Sequence, residues 1–252
     1  MLKACLNGGT SRVQSPYVPL TPAELAADAV RCRAAGAYAV HVHPRTDDGA
    51  ESLDAETIGA AVEAIRRVAP GLPVGVSTGA WIAPDPAQRL AAVRSWATLP
   101  SAVRPDFASV NAHEEAAEDV ATALYDGGIG VEAGLWTVAA VEAYRRWRVP
   151  CLRLLVELVD VAPHPAAQPA PHLAQPAPQP ALVTAAEILD TLGDEPSILL
   201  HAEGPATWTV LREAVRRGLD TRIGIEDTSM LPDGSMVDNV ALVAHAVALG
   251  AC

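Results

Sequence analysis

Residues 35–49, AGAYAVHVHPRTDDG, combine a short apolar run with two histidines and a polar turn. The run, Ala37–His43, does not alternate polar and apolar residues, which is typical of a parallel strand covered on both faces. Upstream, Thr21-Pro22-Ala23-Glu24 has the pattern of a capped helix start, and Asp54-Ala55-Glu56-Thr57 predicts a second start downstream. The stretch therefore predicts a buried strand with one helix before it and one after it.

The same alternation of strand and helix recurs along the whole chain. Seven further apolar runs predict strands at Lys3–Asn7, Pro73–Ser77, Asp106–Asn111, Ile129–Ala133, Cys151–Val156, Ser197–His201 and Thr221–Ile225. Further helices are predicted at 84–98, 115–126, 135–147, 206–218 and 236–250, with another that starts at Thr184. Eight such units predict a single-domain (β/α)8 TIM barrel over residues 1–252. A doubly wound sheet is disfavoured because the glycine fingerprint GxGxxG does not follow the first strand.

One segment departs from this rhythm. Residues 161–182, VAPHPAAQPAPHLAQPAPQPAL, are rich in Pro, Ala and Gln, and this composition predicts polyproline II structure or disorder rather than helix or strand. In a barrel, the segment follows strand six on the catalytic face. Two interpretations stay open: an insertion tolerated in a solvent-exposed loop, or a lid over the active site.

Composition excludes several functional classes. The formal net charge is -12 and half of the residues are hydrophobic, so a nucleic-acid backbone or an anionic membrane would be repelled. An apolar run long enough to cross a membrane is absent from the sequence. The start lacks a secretory signal pattern and the four cysteines show no CxxC spacing, which predicts a cytoplasmic protein. An anionic substrate would need a local cation, either a metal ion or an arginine.

The sharpest chemical signal is the pair of histidines at the end of strand two. Residues i and i+2 of a strand project to the same face, so His41 and His43 can share one metal ion. Glu226, at the end of strand eight, is the candidate third ligand, and neutral imidazoles suit Zn²⁺. Two structural histidines are the alternative interpretation, but the catalytic end of a barrel strand favours a metal site.

The carboxylate beside the third ligand is the candidate base. When Glu226 binds a metal ion, the adjacent Asp227 can take a proton. The alternative is an acidic pair that favours a helix N-terminus. Arg222, four residues before Glu226, is either an ion-pair partner inside the barrel or a clamp for a substrate carboxylate.

Other strand ends supply candidate substrate-binding groups. The candidates lie at the ends of strands three and four, in the turn after strand three and within strand five: Ser77, Thr78, Gly79, Ser109, Asn111 and Glu132. Ser77-Thr78-Gly79 can form a turn that binds an anion, although a plain turn is equally consistent. Buried glutamates are costly without a partner, so Glu132 and Glu157 are expected to face the central site. The roles of His201 and Glu203, at the end of strand seven, stay open.

Five segments together resemble a known family. CLNGG at 5–9, SPYVPLTPAEL at 15–25, AGAYAVHVHPRTDDG at 35–49, VSTG at 76–79 and RIGIEDT at 222–228 are similar to the β-keto acid cleavage enzymes. The resemblance implies a zinc-dependent (β/α)8 barrel and a homotetramer or homodimer. It implies a reaction in which a β-keto acid and acetyl-CoA give acetoacetate and the corresponding acyl-CoA.

The resemblance also implies roles for particular residues. It makes His41, His43 and Glu226 the zinc ligands and Asp227 the catalytic base, which Arg222 positions. Two further positions, Ser77 and Ser109, match hydroxyl groups that hold the carboxylate and keto region of the substrate. Glu132 matches a strand-five glutamate that can meet the amino group of an aminated keto acid.

The sequence departs from the family pattern in three places. The first strand ends in Asn7-Gly8-Gly9-Thr10, where the family commonly has Gly-Ala-Glu, and its glutamate assists the base. Either Arg222 with Glu157 or Glu203 takes over this role, or the proton transfer is weaker or different. The glycine-rich stretch after strand six is replaced by LVELVDVAPHPAAQ at 155–168, and strand seven ends in HAEG at 201–204. These differences keep two alternatives open: a zinc-dependent hydrolase or aldol-type lyase that does not use CoA, and a non-catalytic binding barrel.

Overall fold

The computed structural model describes residues 1–159 and 178–252 of the chain. Its eight strands are β1 Leu2–Cys5, β2 Ala39–Val42, β3 Val74–Ser77, β4 Phe107–Asn111, β5 Gly130–Leu135, β6 Arg153–Leu158, β7 Ile198–Ala202 and β8 Thr221–Ile223. The eight α-helices of the described part are α1 Pro22–Ala34, α2 Ala55–Val68, α3 Pro86–Trp96, α4 Ala117–Asp126, α5 Val138–Tyr144, α6 Pro178–Leu192, α7 Thr207–Arg217 and α8 Asn239–Ala248. Strand and helix alternate eight times, as the sequence predicts.

The eight strands form one parallel sheet that curls into a barrel. The order of neighbours is β7-β6-β5-β4-β3-β2-β1-β8. The two outer strands then meet, because Leu199 and Asp220 form a parallel bridge and the Leu200 N–H donates to the Asp220 carbonyl at 3.0 Å. The arrangement confirms the predicted TIM barrel, in which the carboxyl ends of all eight strands share one face.

Helix starts in the first half of the chain follow the local sequence. The Thr21 hydroxyl accepts from the Glu24 N–H, and the Glu24 carboxylate accepts from the Thr21 N–H in return, which completes a capping box. The Asp54 carboxylate caps α2 through the N–H groups of Glu56 and Thr57. The helices then pack their apolar sides on the strands, so that Leu25, Val40 and Ile58 are fully buried in one core. Both predicted caps are confirmed.

The Pro-rich segment needs one correction. Residues 178–182 belong to α6, although the composition predicts that none of 161–182 is helical. The predicted start at Thr184 is therefore wrong: its hydroxyl donates to the Pro180 carbonyl at 3.2 Å inside the helix. The expectation of polyproline II structure or a lid at 161–177 lies outside the described residues.

Three predicted strands end earlier than their apolar pattern suggests, namely β1, β2 and β8, the last of which ends at Ile223 instead of Ile225. β1 stops at Cys5 and β2 at Val42, so Asn7 and His43 lie just beyond the ladder. The Asn7 side chain takes over the pairing there: its Oδ1 accepts from the His43 N–H at 2.8 Å, and its Nδ2 donates to the His43 carbonyl at 2.8 Å. The backbone of His43 is thereby fixed without a strand partner.

All four cysteines are free thiols, and Cys5 and Cys32 are buried. In the described part of the chain, none of the helices combines the length and apolarity that crossing a bilayer would need.

Candidate active site

Three side chains at the carboxyl ends of the strands converge as a possible metal site. His41 Nε2 lies 3.1 Å from His43 Nε2, and Glu226 Oε2 lies 3.9 Å and 3.7 Å from these two nitrogens. The histidines are 1% and 4% exposed. The structure therefore brings together the three residues that the sequence predicts as metal ligands.

Glu226 reaches this group because the backbone of the first loop leaves room for it. Gly8 has a φ of +50°, and a Cβ at this position would lie 2.5 Å from Glu226 Cγ. A larger residue would have to displace the carboxylate and would also be strained in a left-handed conformation. The absence of a side chain at Gly8 therefore leaves the space that the side chain of Glu226 occupies.

The chemistry of the group fits a bound metal ion. Burial lowers the pKa of His41 well below its ordinary value, so the imidazole stays neutral and keeps a lone pair. Burial also opposes protonation of His43, but Glu226 and then Glu51 outweigh it and raise the pKa of this ring. Glu226 Oε2 is buried and accepts no hydrogen bond from the described residues. A cation between the three side chains would satisfy this oxygen.

Arg222 sits at the centre of a second set of carboxylates. Its Nη2 lies 2.7 Å from Asp227 Oδ1, 2.9 Å from Glu226 Oε1 and 3.8 Å from Glu203 Oε1. Glu203, Glu226 and Asp227 are close enough to hold a metal ion themselves, but the guanidinium already supplies positive charge there. Partial burial raises the pKa of Glu203 above its ordinary value, and 40% of its side chain is still exposed to solvent.

The two oxygens of Asp227 have different surroundings. Oδ1 accepts from Arg222 Nε at 3.0 Å and from Nη2 at 2.7 Å, whereas Oδ2 is buried without a hydrogen-bond donor among the described residues. Burial alone would raise the pKa of Asp227, but Arg222 and then His201 outweigh it, so the pKa is lowered. The carboxylate is anchored through one oxygen and can accept a proton at the other.

His201 and Glu157 extend this charged group onto the neighbouring strands. His201 Nδ1 lies 3.6 Å from Asp227 Oδ1, and its Nε2 lies 3.6 Å from Glu157 Oε2. The two residues are register partners in β6 and β7 and are almost fully buried. Burial raises the pKa of Glu157, but the contact with His201 outweighs this effect and holds the pKa at about 2. Glu157 therefore faces the central site, as expected, and reaches Asp227 through His201.

The residues at the end of β3 and in the loop after it have different structural roles. Ser77 is buried, and its hydroxyl accepts from the Gly79 N–H at 3.1 Å. The Thr78 hydroxyl donates to the Ser109 carbonyl at 2.7 Å and so ties β3 to β4 instead of being free for a substrate. A Cβ at Gly79 would lie 2.3 Å from the Trp81 ring, so this glycine makes room for the indole.

On strand four, Ser109 is the register partner of Ser77, so the two predicted hydroxyl positions lie side by side on neighbouring strands. Ser109 is half-buried. Asn111 lies two residues further on and is buried, and its Nδ2 donates to Glu114 Oε1 at 2.9 Å. Its amide donor is therefore already occupied by the loop that follows.

Glu132 does not belong to this group, contrary to the sequence-based expectation. It is fully buried, 2.5 Å from Lys3 Nζ, and also paired with Arg153. Lys3 and Arg153 lie at the amino ends of β1 and β6, and β5 continues for three residues beyond Glu132. The carboxylate thus neutralises two cations at the opposite end of the barrel interior and is not available to a substrate's amino group.

Three residues near the site were not singled out by the sequence. Glu51 Oε1 contacts His43 Nδ1 and accepts from Trp81 Nε1 at 3.4 Å. Trp81 also stacks over His43, with ring centroids 6.2 Å apart. Arg45 donates through Nη2 to the carbonyls of Gly8 at 2.7 Å and Thr10 at 3.0 Å, which fixes the first loop. Arg45 lies in the segment 35–49 but was given no role there, and neither Glu51 nor Trp81 lies in a recognisable pattern.

Curated relatives match parts of the chain. It is 31% identical over 108 residues to the 3-keto-5-aminohexanoate cleavage enzyme of Fusobacterium nucleatum subsp. nucleatum, which covers 43% of this chain and 37% of that protein. It is 30% identical over 145 residues to the 3-oxoadipate:acetyl-CoA acetyltransferase of Cupriavidus necator, which covers 57% of this chain and 46% of that one. The matched regions therefore span less than half of either relative.

Solved structures match the fold over nearly the whole chain. The apo structure of ObcA has a TM-score of 0.68 at 18% identity and covers 94% of this chain and 63% of its own. The ternary complex of ObcA with a C4-CoA adduct and oxalate has a TM-score of 0.67, also at 18% identity, and covers 94% of this chain and 65% of its own. At this identity, the likeness supports the barrel fold alone.

The sequence as a whole matches one protein family. The family model described as beta-keto acid cleavage enzyme matches residues 1–251. This match extends over both halves of the barrel and includes the strand ends that carry His41, His43, Glu226 and Asp227. The chain therefore belongs to the beta-keto acid cleavage enzyme family.

Proposed function

We propose that the protein is a zinc-dependent β-keto acid cleavage enzyme that uses acetyl-CoA. In the overall reaction, a β-keto acid R–CO–CH₂–COO⁻ and acetyl-CoA give R–CO–S-CoA and acetoacetate. The bond between C2 and C3 of the keto acid and the thioester bond of acetyl-CoA break, and new bonds join C2 to the acetyl carbonyl carbon and the CoA sulfur to C3. The reaction needs a base for the C2 proton and a positive site for the anion that results.

The different surroundings of Glu226 and Asp227 are the main support for this proposal. Glu226 faces His41 and His43, whereas Asp227 is anchored by Arg222 through Oδ1 and keeps Oδ2 without a donor from the described residues. A fixed carboxylate beside a site for a cation is the arrangement that proton removal next to a carbonyl requires. Asp227 Oδ2 is thus the atom that takes the C2 proton.

The metal site supplies the positive charge for this chemistry. Two buried imidazoles and one carboxylate suit Zn²⁺, and a zinc ion held by them would make the C2 proton of a β-keto acid more acidic. Arg222 cannot provide this charge, because its guanidinium is occupied by Asp227 and Glu226. Ser77 and Ser109 lie on neighbouring strands and would orient the carboxylate and keto region of the substrate.

The relatives support a β-keto acid as the substrate class but do not identify the group R on its keto carbon. The names of both relatives, a cleavage enzyme for 3-keto-5-aminohexanoate and a 3-oxoadipate:acetyl-CoA acetyltransferase, describe proteins that act on 3-keto acids. One substrate carries an amino group and the other a second carboxylate. Since Glu132 is engaged by Lys3 and Arg153, it gives no reason to prefer an aminated keto acid for this chain.

A two-part assay tests the proposal. Elemental analysis of the purified protein should find about one zinc per chain, and a panel of β-keto acids with acetyl-CoA should yield acetoacetate for at least one member. His41→Ala should lose the metal and the activity while the far-ultraviolet circular dichroism stays that of a barrel. Zinc without acetoacetate from any keto acid would contradict the proposed reaction, and full zinc content in His41→Ala would contradict the ligand assignment.

We further propose a cytoplasmic homodimer or homotetramer built from single barrel domains. The free state of all four cysteines supports a reducing compartment, and the oligomeric state rests on the family resemblance. Light scattering of the protein as it elutes from a sizing column would measure the assembly directly.

A further inference from the structure

A small hairpin after β2 returns the chain to the metal site. Arg45 and Glu51 form an antiparallel bridge. Next to it, the Thr46 N–H donates to the Ala50 carbonyl at 2.9 Å, and the Ser52 N–H donates to the Pro44 carbonyl at 3.0 Å. These bonds fix the hairpin backbone, so the side chain of Glu51 is held beside the strand end from which the hairpin departs.

Glu51 is held between two rings. Its Oε1 contacts His43 Nδ1 and also accepts from Trp81 Nε1 at 3.4 Å. The indole and imidazole planes are inclined by only 21°. The side chains of His43 and Glu51 are 5% and 17% exposed, so solvent screens their contact little. The carboxylate therefore has one defined position relative to the imidazole.

This contact determines which nitrogen of His43 can bind a metal ion. An ionised carboxylate only accepts hydrogen bonds, so the nitrogen that faces it must carry the hydrogen. In the neutral ring, the lone pair is then on Nε2, the atom that lies 3.1 Å from His41 Nε2 and 3.7 Å from Glu226 Oε2. The bond thus selects the tautomer that the three-residue group requires.

The two histidines differ in this respect. His41 Nδ1 is buried and finds no hydrogen-bond partner among the described residues, whereas His43 Nδ1 faces a carboxylate. Metal-bound histidines usually donate their second nitrogen to a carboxylate or carbonyl, which fixes the ring and raises its basicity. We propose that Glu51 is a positioning residue for the metal site and that it acts through His43. This inference rests on the metal site of the proposed function.

Metal affinity in Glu51 variants is the first test. The dissociation constant for Zn²⁺ is measured by competition with a chromophoric chelator in wild type, Glu51→Ala, Glu51→Gln and Asp47→Asn. Glu51→Ala should weaken binding about 10- to 100-fold, and Glu51→Gln should weaken it less, because its carbonyl oxygen still accepts from Nδ1. Asp47→Asn removes an equal charge from the exposed tip of the same hairpin and should stay within about twofold of wild type.

The tautomer of His43 in the metal-free protein is the second readout. At a pH high enough for the His43 ring to be neutral, long-range proton–nitrogen spectra should show the hydrogen on Nδ1 in wild type and a shift of the hydrogen toward Nε2 in Glu51→Ala. Unchanged affinity in both variants, or an unchanged tautomer in Glu51→Ala, would overturn the role of Glu51. If Glu51→Ala does not fold, Glu51→Gln decides by metal affinity alone, and an affinity equal to that of wild type would overturn the role of Glu51. Wild-type protein that binds no metal but shows the Nδ1 hydrogen would contradict the proposed metal site and not the contact.

Discussion

Arg222 donates two hydrogen bonds to a single oxygen of Asp227, from Nε at 3.0 Å and from Nη2 at 2.7 Å to Oδ1. The second oxygen, Oδ2, is left without a donor in the part of the chain that the structure describes. A guanidinium usually meets both oxygens of a carboxylate. The one-sided contact therefore orients the carboxylate while keeping one oxygen free for a proton, which is the feature on which the proposed chemistry depends.

Asp227→Asn should retain the metal and lose proton removal. The amide keeps the shape of the side chain but cannot accept a proton at neutral pH, so enzyme-dependent exchange of the C2 hydrogens of a β-keto acid should fall about 10²- to 10⁴-fold. Proton exchange into deuterated water, followed by nuclear magnetic resonance and corrected for the uncatalysed rate, measures this step. Exchange at the wild-type rate would remove Asp227 as the base.

Arg222→Met should destabilise the protein strongly. The guanidinium is 3% exposed and neutralises Asp227 and Glu226, so its loss leaves two buried carboxylates facing each other. We expect a loss of about 3–5 kcal/mol in the free energy of unfolding, measured by denaturant titration. Arg216→Met is the matched control, because Arg216 pairs with Glu213 at the surface and is 67% exposed. It should cost at most about 1 kcal/mol, and equal losses in the two variants would contradict the account.

Glu132→Gln separates a structural role from a substrate-binding role. The variant breaks a buried pair with Lys3 and Arg153, so the free energy of unfolding should fall by about 3–5 kcal/mol. The KM for the keto acid should change little at a temperature where the variant remains folded. A raised KM with unchanged stability would show that Glu132 binds substrate after all. Glu142→Gln, at an exposed pair with Arg145, is the control for loss of a carboxylate charge.

The pair of Glu157 and His201 should make stability depend on acidic pH. The folded protein holds the pKa of Glu157 at about 2, below its ordinary value of 4.5, because His201 and Arg222 outweigh the effect of burial. The depressed pKa means that this contribution is fully present above pH 4.5 and is lost as the pH falls toward 2. Glu157→Gln should therefore destabilise most at neutral pH, and the difference in Tm from wild type should shrink between pH 5 and pH 2. A difference that is constant over this range would contradict the contact.

Much of the metal site can be predicted from the sequence, because it depends on strand ends. His41 and His43 share a face by the two-residue period of a strand, and all strand ends of a parallel barrel meet on one face. Glu226 could be added because the predicted strand Thr221–Ile225 stops just before it, although β8 itself already ends at Ile223. The grouping of these three residues thus follows from periodicity and topology together.

Glu132 shows the limit of the same reasoning. The cost of burying an unpaired carboxylate correctly places the side chain inside the barrel, but the sequence predicts that the strand ends at Ala133, whereas β5 continues to Leu135. Because the predicted strand ends two residues too early, the sequence places Glu132 at the catalytic rim, whereas the residue lies in the amino-terminal half of the barrel. Apolar runs do not mark strand ends sharply, because β5 continues through the buried residues Gly134 and Leu135.

Glu51 was missed for a different reason. Its contact with His43 depends on the hairpin formed by residues 44–52, and neither a motif nor a period in the sequence indicates where such a loop returns. The same is true of Trp81, which reaches His43 from the loop after β3. Contacts between loops need three-dimensional information that local patterns do not contain.

The transfer of the acetyl carbons tests the central claim most directly. Purified zinc-loaded protein is incubated with a β-keto acid that it consumes and with acetyl-CoA labelled with ¹³C at both acetyl carbons, and the products are followed by carbon magnetic resonance. The account predicts acetoacetate labelled at C3 and C4 and an unlabelled acyl-CoA from the keto acid, with Asp227→Asn inactive. Consumption of the keto acid without label in acetoacetate would show that the bond is cleaved without acetyl-CoA and would contradict the proposed reaction.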